Sequence, residues 1–169
     1  ADGAPLADKE VLAGAVGEFV SHYRAHIADH SRPFPGAVET LIDMQNAGAV
    51  CVICTNKREA LAVALLEALD LTDCFSAIVG GDNASAAKPD PAPVRLSMAQ
   101  AGFEPDAVIN AGRAVFIGDS DTDIRAAKNT GVPVLLHNQG YGPLSEAAHV
   151  DGAFDQFDQL PNLVRGLIK

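Results

Sequence analysis

Ala114-Val115-Phe116-Ile117-Gly118-Asp119-Ser120-Asp121-Thr122-Asp123 is a short apolar run that turns at once into three alternating acids, and Ile124 to Thr130 continues it in helix-like fashion. The pattern predicts a buried strand with a carboxylate cluster at its mouth. Burying three acids beside an apolar segment is costly unless a cation or hydrogen-bond donors compensate them, so the cluster points to a hard, oxygen-preferring ion such as Mg²⁺. A structural use competes with that reading. Asp119 or Asp121 would cap the following helix by satisfying its free N–H groups and its dipole. Capping takes one acid, and three are present.

The segments on either side of that turn alternate between helix and strand. Val11, Leu12, Ala15, Val16, Phe19, Val20, Tyr23 and Ile27 recur at helical spacing and predict an amphipathic helix over about 9–30. Ser31 to Gly36 breaks it, and Val38, Leu41 and Ile42 mark a second helix closing at Gly48. A strand over 49–55, a helix through Leu61, Leu65, Leu66 and Leu69, and a short strand over 76–79 ending in Gly80-Gly81-Asp82 come next. Pro91 then opens a helix running to Gly102. After the acidic turn and its helix, which closes at Gly131, 133–137 is a further strand, and Leu160, Leu163, Val164, Leu167 and Ile168 form a last helix. Continuous apolar strands separated by helices are the pattern of an open parallel sheet covered on both faces. Such sheets place ligand sites at the carboxyl ends of their strands.

Composition narrows the function. The 169 residues are 48% apolar, enough for one core, and the formal charge of −10 with no basic run argues against a nucleic-acid backbone or an anionic membrane surface as partner. No apolar stretch approaches the roughly 20 residues of a membrane span, and Ala1-Asp2-Gly3-Ala4-Pro5 lacks the features of a signal peptide, so a cytoplasmic location is expected. Cys51 and Cys54 have a C-x2-C spacing, but on a strand residues three apart face opposite ways and no second Cys or His pair follows, which favours buried structural thiols. His22, His26 and His30 stand four apart. On a helix they could share a face and bind a metal, or equally line a partly solvated surface.

Three groups fall at expected strand ends. Thr55-Asn56-Lys57 brings a hydroxyl, an amide and backbone N–H groups to the rim, where they could hold phosphate oxygens. Lys88 lies in a loop stiffened by Pro89 and Pro91, where an ammonium can neutralise a phosphoryl group as a point charge. The acidic turn is the third. An EF-hand would need Gly and Glu where Ile124 and Thr130 stand, so calcium binding of that kind is excluded. No G-x-G-x-x-G follows a strand, which excludes the dinucleotide fingerprint. A receiver domain would place its acid pair before its Thr and Lys, and here the acids come last.

Thr55-Asn56, then Lys88-Pro89, then Gly118-Asp119-Ser120-x-x-Asp123 resemble the second, third and fourth motifs of the haloacid dehalogenase (HAD) superfamily of phosphohydrolases. Pro33-Phe34-Pro35-Gly36-Ala37-Val38, Cys54-Thr55-Asn56-Lys57, Gly80-Gly81-Asp82, Lys88-Pro89-Asp90-Pro91 and Gly140-Tyr141-Gly142 look like its phosphoglycolate phosphatase branch. The resemblance implies a HAD-like, Rossmannoid three-layer α/β/α parallel sheet. It also implies hydrolysis of small phosphorylated metabolites, phosphoglycolate favoured, through an aspartyl-phosphate with Mg²⁺ as cofactor. By that analogy Thr55 and Asn56 bind phosphate oxygens, Lys88 holds the phosphoryl group and the nucleophile, Asp119 is a metal ligand, and Asp123 supports the metal shell directly or through water.

The family's first motif, an apolar strand ending in D-x-D-G-T, has no counterpart in the sequence, and Asp2-Gly3 does not replace it. In the family that strand lies between the Thr strand and the metal strand, so the sheet is expected to lack its central, nucleophile-bearing strand. A preceding segment, a partner chain or a remodelled sheet would then have to make good the gap. Residues 1–34 are expected to be the end of a helical cap and 35–169 the HAD-like core. Two functions follow: a phosphatase in which these residues alone do not turn over substrate, or a phosphate- or metal-binding or interaction remnant of the same fold. Oligomeric state is not legible in the sequence.

Overall fold

The computed structural model describes residues 9–141 and 144–169. Asp2-Gly3 and Gly142 lie outside the described residues. Helix α1 (Lys9–Ala25) is followed by α2 (Ala37–Asn46), β1 (Val52–Cys54), α3 (Glu59–Ala68), β2 (Ala77–Val79), α4 (Ala92–Gln100) and α5 (Pro105–Asn110). The second half runs β3 (Phe116–Gly118), α6 (Asp121–Thr130), β4 (Val134–His137), β5 (Gly152–Phe154) and α7 (Leu160–Leu167). All strand pairs are parallel. The expected α/β architecture is therefore present.

The strands form two separate ladders among the described residues. β1 pairs with β2, matching Ile53 to Ile78, and β3, β4 and β5 pair in that order, matching Ile117 to Leu135 and Leu136 to Ala153. Burial follows the pairing. β4 has a partner on each side and is buried along its whole length, whereas β1 is half-buried throughout and Ile117 in β3 is 40% exposed. An apolar strand residue left that open marks an incompletely covered sheet region.

One core cluster joins the halves. Val94 and Met98 of α4 pack with Ile124, Ala126 and Ala127 of α6 and with Val132, Val134 and Leu136, and Cys54 and Phe116 lie against them. Complete burial of a side chain such as Ile124 or Leu136 contributes roughly 2 kcal/mol. A second cluster places Leu135 and Phe154 against Leu160 of α7.

Four sequence expectations are corrected. The first helix ends at Ala25 and not near residue 30, because His26 to Asp29 form turns, so His30 leaves the face of His22 and His26. The His22 and His26 rings approach to 4.6 Å between centroids, and His26 Nδ1 lies 2.7 Å from Asp29 Oδ2. No three His, Cys, Asp or Glu side chains among the described residues come together as a metal cage. Helix α5 and strand β5 are additional elements, with Pro105 at the start of the helix and the weak strand formers Gly152 and Ala153 in β5. The cap of α6 is Ser120, not an aspartate.

Candidate active site

Lys88 is the hub of the rim. Its Nζ donates to Asp123 Oδ1 at 2.7 Å and to the Cys54 carbonyl at 2.7 Å, and stands 5.4 Å from the centroid of the Phe116 ring. Cys54 ends β1, Phe116 opens β3, and Asp123 sits in the first turn of α6. One ammonium thus spans the two ladders at their carboxyl ends. The Lys88 and Asp123 side chains are 9% and 10% exposed, so the pair is largely withdrawn from water. Burial on its own would raise the Asp123 carboxyl. The Lys88 charge and hydrogen bonds from Lys88, Ser120 and the Asp119 N–H outweigh it and hold the group below the usual carboxylate range.

Local sequence explains how Asp123 reaches that position. Ser120 is extended and caps α6, its hydroxyl accepting from the Asp123 N–H and donating to Asp123 Oδ2 at 2.7 Å. Asp121 and Asp123 in the first turn and Lys128 in the last suit the helix dipole, and Gly131 at φ +85° closes the helix in the left-handed conformation. The Asp119 N–H completes the set on Asp123 Oδ2 at 3.2 Å. Both Asp123 oxygens are therefore occupied by groups of the protein.

Among the described residues, the Asp119 carboxylate is only half used. Its Oδ2 accepts from the Tyr141 N–H at 3.2 Å. Gly140 allows that approach, since a Cβ there would stand 2.1 Å from the Asp119 Cβ. Asp121 has a different task from its neighbours. It is 4% exposed, and its carboxylate accepts from the Ser145 hydroxyl, the Ser145 N–H at 3.1 Å and the Glu146 N–H at 2.8 Å. Those bonds, the Ser145 hydroxyl foremost, hold its carboxyl below the ordinary range. Of the three alternating acids, one binds Lys88, one holds Ser145 and Glu146, and one keeps an oxygen without a partner among the described residues.

Asn56 clasps the backbone of Lys88, its Nδ2 donating to the Lys88 carbonyl at 3.0 Å and its Oδ1 accepting from the Lys88 N–H at 2.9 Å. The amide expected to bind phosphate thus first positions Lys88, leaving its second N–H for another acceptor. The Thr55 hydroxyl accepts from the Lys57 N–H at 3.1 Å, so its own proton is available to an anion. Asn129 adds a bond to the Pro89 carbonyl at 2.9 Å. Gly81 lies so close to Asn56 that a Cβ would stand 2.6 Å from the Asn56 carbonyl oxygen, and Asp82 accepts from the Glu59 N–H at the start of α3 at 2.8 Å. Gly80-Gly81-Asp82 therefore braces the Thr55-Asn56 turn and does not line the site.

Thr55, Asn56, Lys88, Asp119 and Asp123 are brought to one rim by these contacts. The buttressing roles of Asp121 and Asn129 are not legible in the sequence, because Asp121 meets residues 24 and 25 positions away and Asn129 meets Pro89 across 40, whereas Ser120 caps α6 through the local Ser-x-x-Asp spacing to Asp123. The oxygen-only donor set suits Mg²⁺, which keeps several waters and takes one or two carboxylates, and Asp119 Oδ1, which has no partner among the described residues, is the oxygen available to it.

Comparison with known proteins finds relatives of this chain in sequence and in fold. A phosphoglycolate phosphatase of Caulobacter vibrioides is 47% identical over 141 residues, which cover 83% of this chain and 56% of that protein. The chain spans about half the length of the curated relatives it matches. A solved structure described as a predicted phosphoglycolate phosphatase from Haemophilus somnus superimposes with a TM-score of 0.75 at 28% identity, covering 86% of this chain and 63% of that one. CbbY from Rhodobacter sphaeroides in complex with phosphate gives 0.73 at 26% identity, covering 94% and 68%. The sequence pattern of the haloacid dehalogenase-like hydrolases matches residues 5–137, and the chain belongs to that family.

Proposed function

We propose that these residues form the larger part of a Mg²⁺-dependent phosphatase of small phosphorylated metabolites, with phosphoglycolate the favoured substrate. The observation that carries this reading is the buried Lys88 ammonium, held between the Cys54 carbonyl and the Asp123 carboxylate where the two ladders meet. A fixed cation at strand ends, beside a Thr hydroxyl and an aspartate with a spare oxygen, can receive a phosphoryl group and offset its developing charge. The name shared by the Caulobacter, Mesorhizobium and Agrobacterium relatives supports phosphoglycolate.

In this reading Thr55 and the remaining Asn56 N–H bind phosphoryl oxygens. Lys88 neutralises them, and Asp119 Oδ1 holds Mg²⁺. Asp123, with both oxygens engaged, acts on the metal shell through water and keeps Lys88 in place. Mg²⁺, when bound, supplies Lewis-acid neutralisation of the transferring group. In this reading none of these groups serves as the nucleophile. The nucleophile is assigned to an aspartate on a D-x-D-G-T strand, which the half-open β1 and β3 would accommodate between them.

The test compares the 169-residue chain with a form carrying such a strand before it, assayed on phosphoglycolate and an aryl phosphate. The short form is expected to be inert and the extended form to turn over in Mg²⁺. Robust turnover by the short form would assign the nucleophile elsewhere. An inert, folded extended form would instead favour a non-catalytic phosphate-binding remnant.

A further inference from the structure

Lys57 stands at the same rim and plays no part in the arrangement around Lys88. Its Nζ donates to Tyr23 Oη at 2.7 Å and lies 5.1 Å from the centroid of the Tyr23 ring. No carboxylate among the described residues is within ion-pair distance of it, in a chain with 22 acids against 12 Lys and Arg. An ammonium held by a phenol oxygen and a ring face is positioned without being neutralised. Lys88, by contrast, is ion-paired with Asp123 at 2.7 Å.

The backbone of Lys57 is tied to the phosphate turn. Its N–H donates to Thr55 Oγ1 at 3.1 Å, and its carbonyl accepts from the Gly81 N–H at 2.9 Å. The Lys57 stem therefore leaves from the same turn that presents the Thr55 hydroxyl, while Tyr23 reaches it from α1. A chain of charge −10 repels a polyanionic substrate, so an uncompensated cation at the mouth has a disproportionate effect on which anions enter.

We propose that Lys57 is the specificity residue for the second anionic group of the substrate, receiving the carboxylate of a small phosphorylated acid whose phosphoryl end is held by Thr55 and Lys88. Tyr23 is its positioning residue. This inference rests on the phosphatase reading of the rim and deepens it: the substrates selected carry a carboxylate a few bonds from the phosphate.

Binding to the 169-residue chain in Mg²⁺ buffer tests it, with calorimetric titration of phosphoglycolate, ethyl phosphate and inorganic phosphate. Wild type is expected to prefer phosphoglycolate to ethyl phosphate by about tenfold, because a site built for a charged group rejects the analogue that lacks it. Lys57→Met should abolish that preference while ethyl phosphate and inorganic phosphate bind as before, Lys57→Arg should keep most of it, and Tyr23→Phe should reduce it. Equal binding of phosphoglycolate and ethyl phosphate by wild type would overturn the assignment, as would a Lys57→Met variant that loses all three ligands alike. If wild type bound none of the three, the phosphatase reading would fall, and this inference with it.

Discussion

Lys88 and Asp123 are 35 positions apart in the chain, yet Nζ and Oδ1 meet at 2.7 Å with each side chain about nine-tenths buried. Removing one partner of such a pair leaves a largely buried charge without its counter-ion. Lys88→Met should therefore lower unfolding free energy by about 3 kcal/mol. Adding Asp123→Asn should recover part of the loss, because the stranded charge is gone. Urea denaturation of the two single variants and the double one checks this. A double variant less stable than Lys88→Met alone would mean that the Ser120 and Asp119 bonds to Asp123 matter more than its charge.

Asp121 and Asp123 both have carboxyl groups held below their ordinary range. Such groups bind protons more weakly in the folded chain than in the unfolded one. Their stabilisation is complete above the unfolded value of about 4 and is lost as pH falls through the folded one. Stability should thus hold between pH 7 and 5 and fall below about 4. Asp121→Asn should flatten part of that acid limb and speed amide exchange at Ser145 and Glu146, whose N–H groups it anchors. Hydrogen exchange unchanged at those two amides would remove Asp121 as the loop's anchor.

Gly140→Ala forces a Cβ to within 2.1 Å of the Asp119 Cβ, so the aspartate or the Tyr141 segment must shift. The expected cost is about 1–3 kcal/mol, with weaker Mg²⁺ binding if Asp119 carries the ion. Gly166→Ala is the matched control, since its Cβ meets nothing within 4 Å inside helix α7, and it should stabilise by roughly 0.5 kcal/mol. Thermal melts and Mg²⁺ titration read both effects. Equal melting temperatures for the two variants would show that the Asp119 contact is easily relieved.

Burial pushes the Cys54 thiol up; the Lys88 charge opposes this and Asp123 adds to it. Burial also raises Cys51, with Cys74 contributing. Since the thiolate is the reactive form, iodoacetamide should label both more slowly than a free thiol at pH 7.5, with rates still climbing beyond pH 9. Labelling at the rate of a free thiol would mean that both sulfurs open readily to solvent.

Periodicity and punctuation determined the order of most elements. The apolar runs at 49–55 and 133–137, the helix through Leu61 and Leu69, and the closure at Gly131 depend on neighbours a few positions away, and local chemistry decides them. The same holds for the motif residues Thr55, Lys88 and Asp119, which stand just past strands or in a rim loop because parallel strands end there. Helix α5 and strand β5 escaped because Pro105 opens a helix of only 6 residues and Gly152-Ala153-Phe154 is a weak strand former held by its ladder with β4.

What each polar group does was decided only by tertiary contact. Three acids in alternation read as one cluster, but on the folded chain Asp123 turns to Lys88, Asp121 to Ser145 and Glu146, and Asp119 to Tyr141. Asn56 clasps Lys88, and Gly80-Gly81 serves as packing. Such bonds join residues some 20 to 40 positions apart, so no local rule in the sequence encodes them. Alternation and turn residues set where strands end, whereas the partner of a buried charge depends on which other groups the closed core leaves within about 3 Å of it.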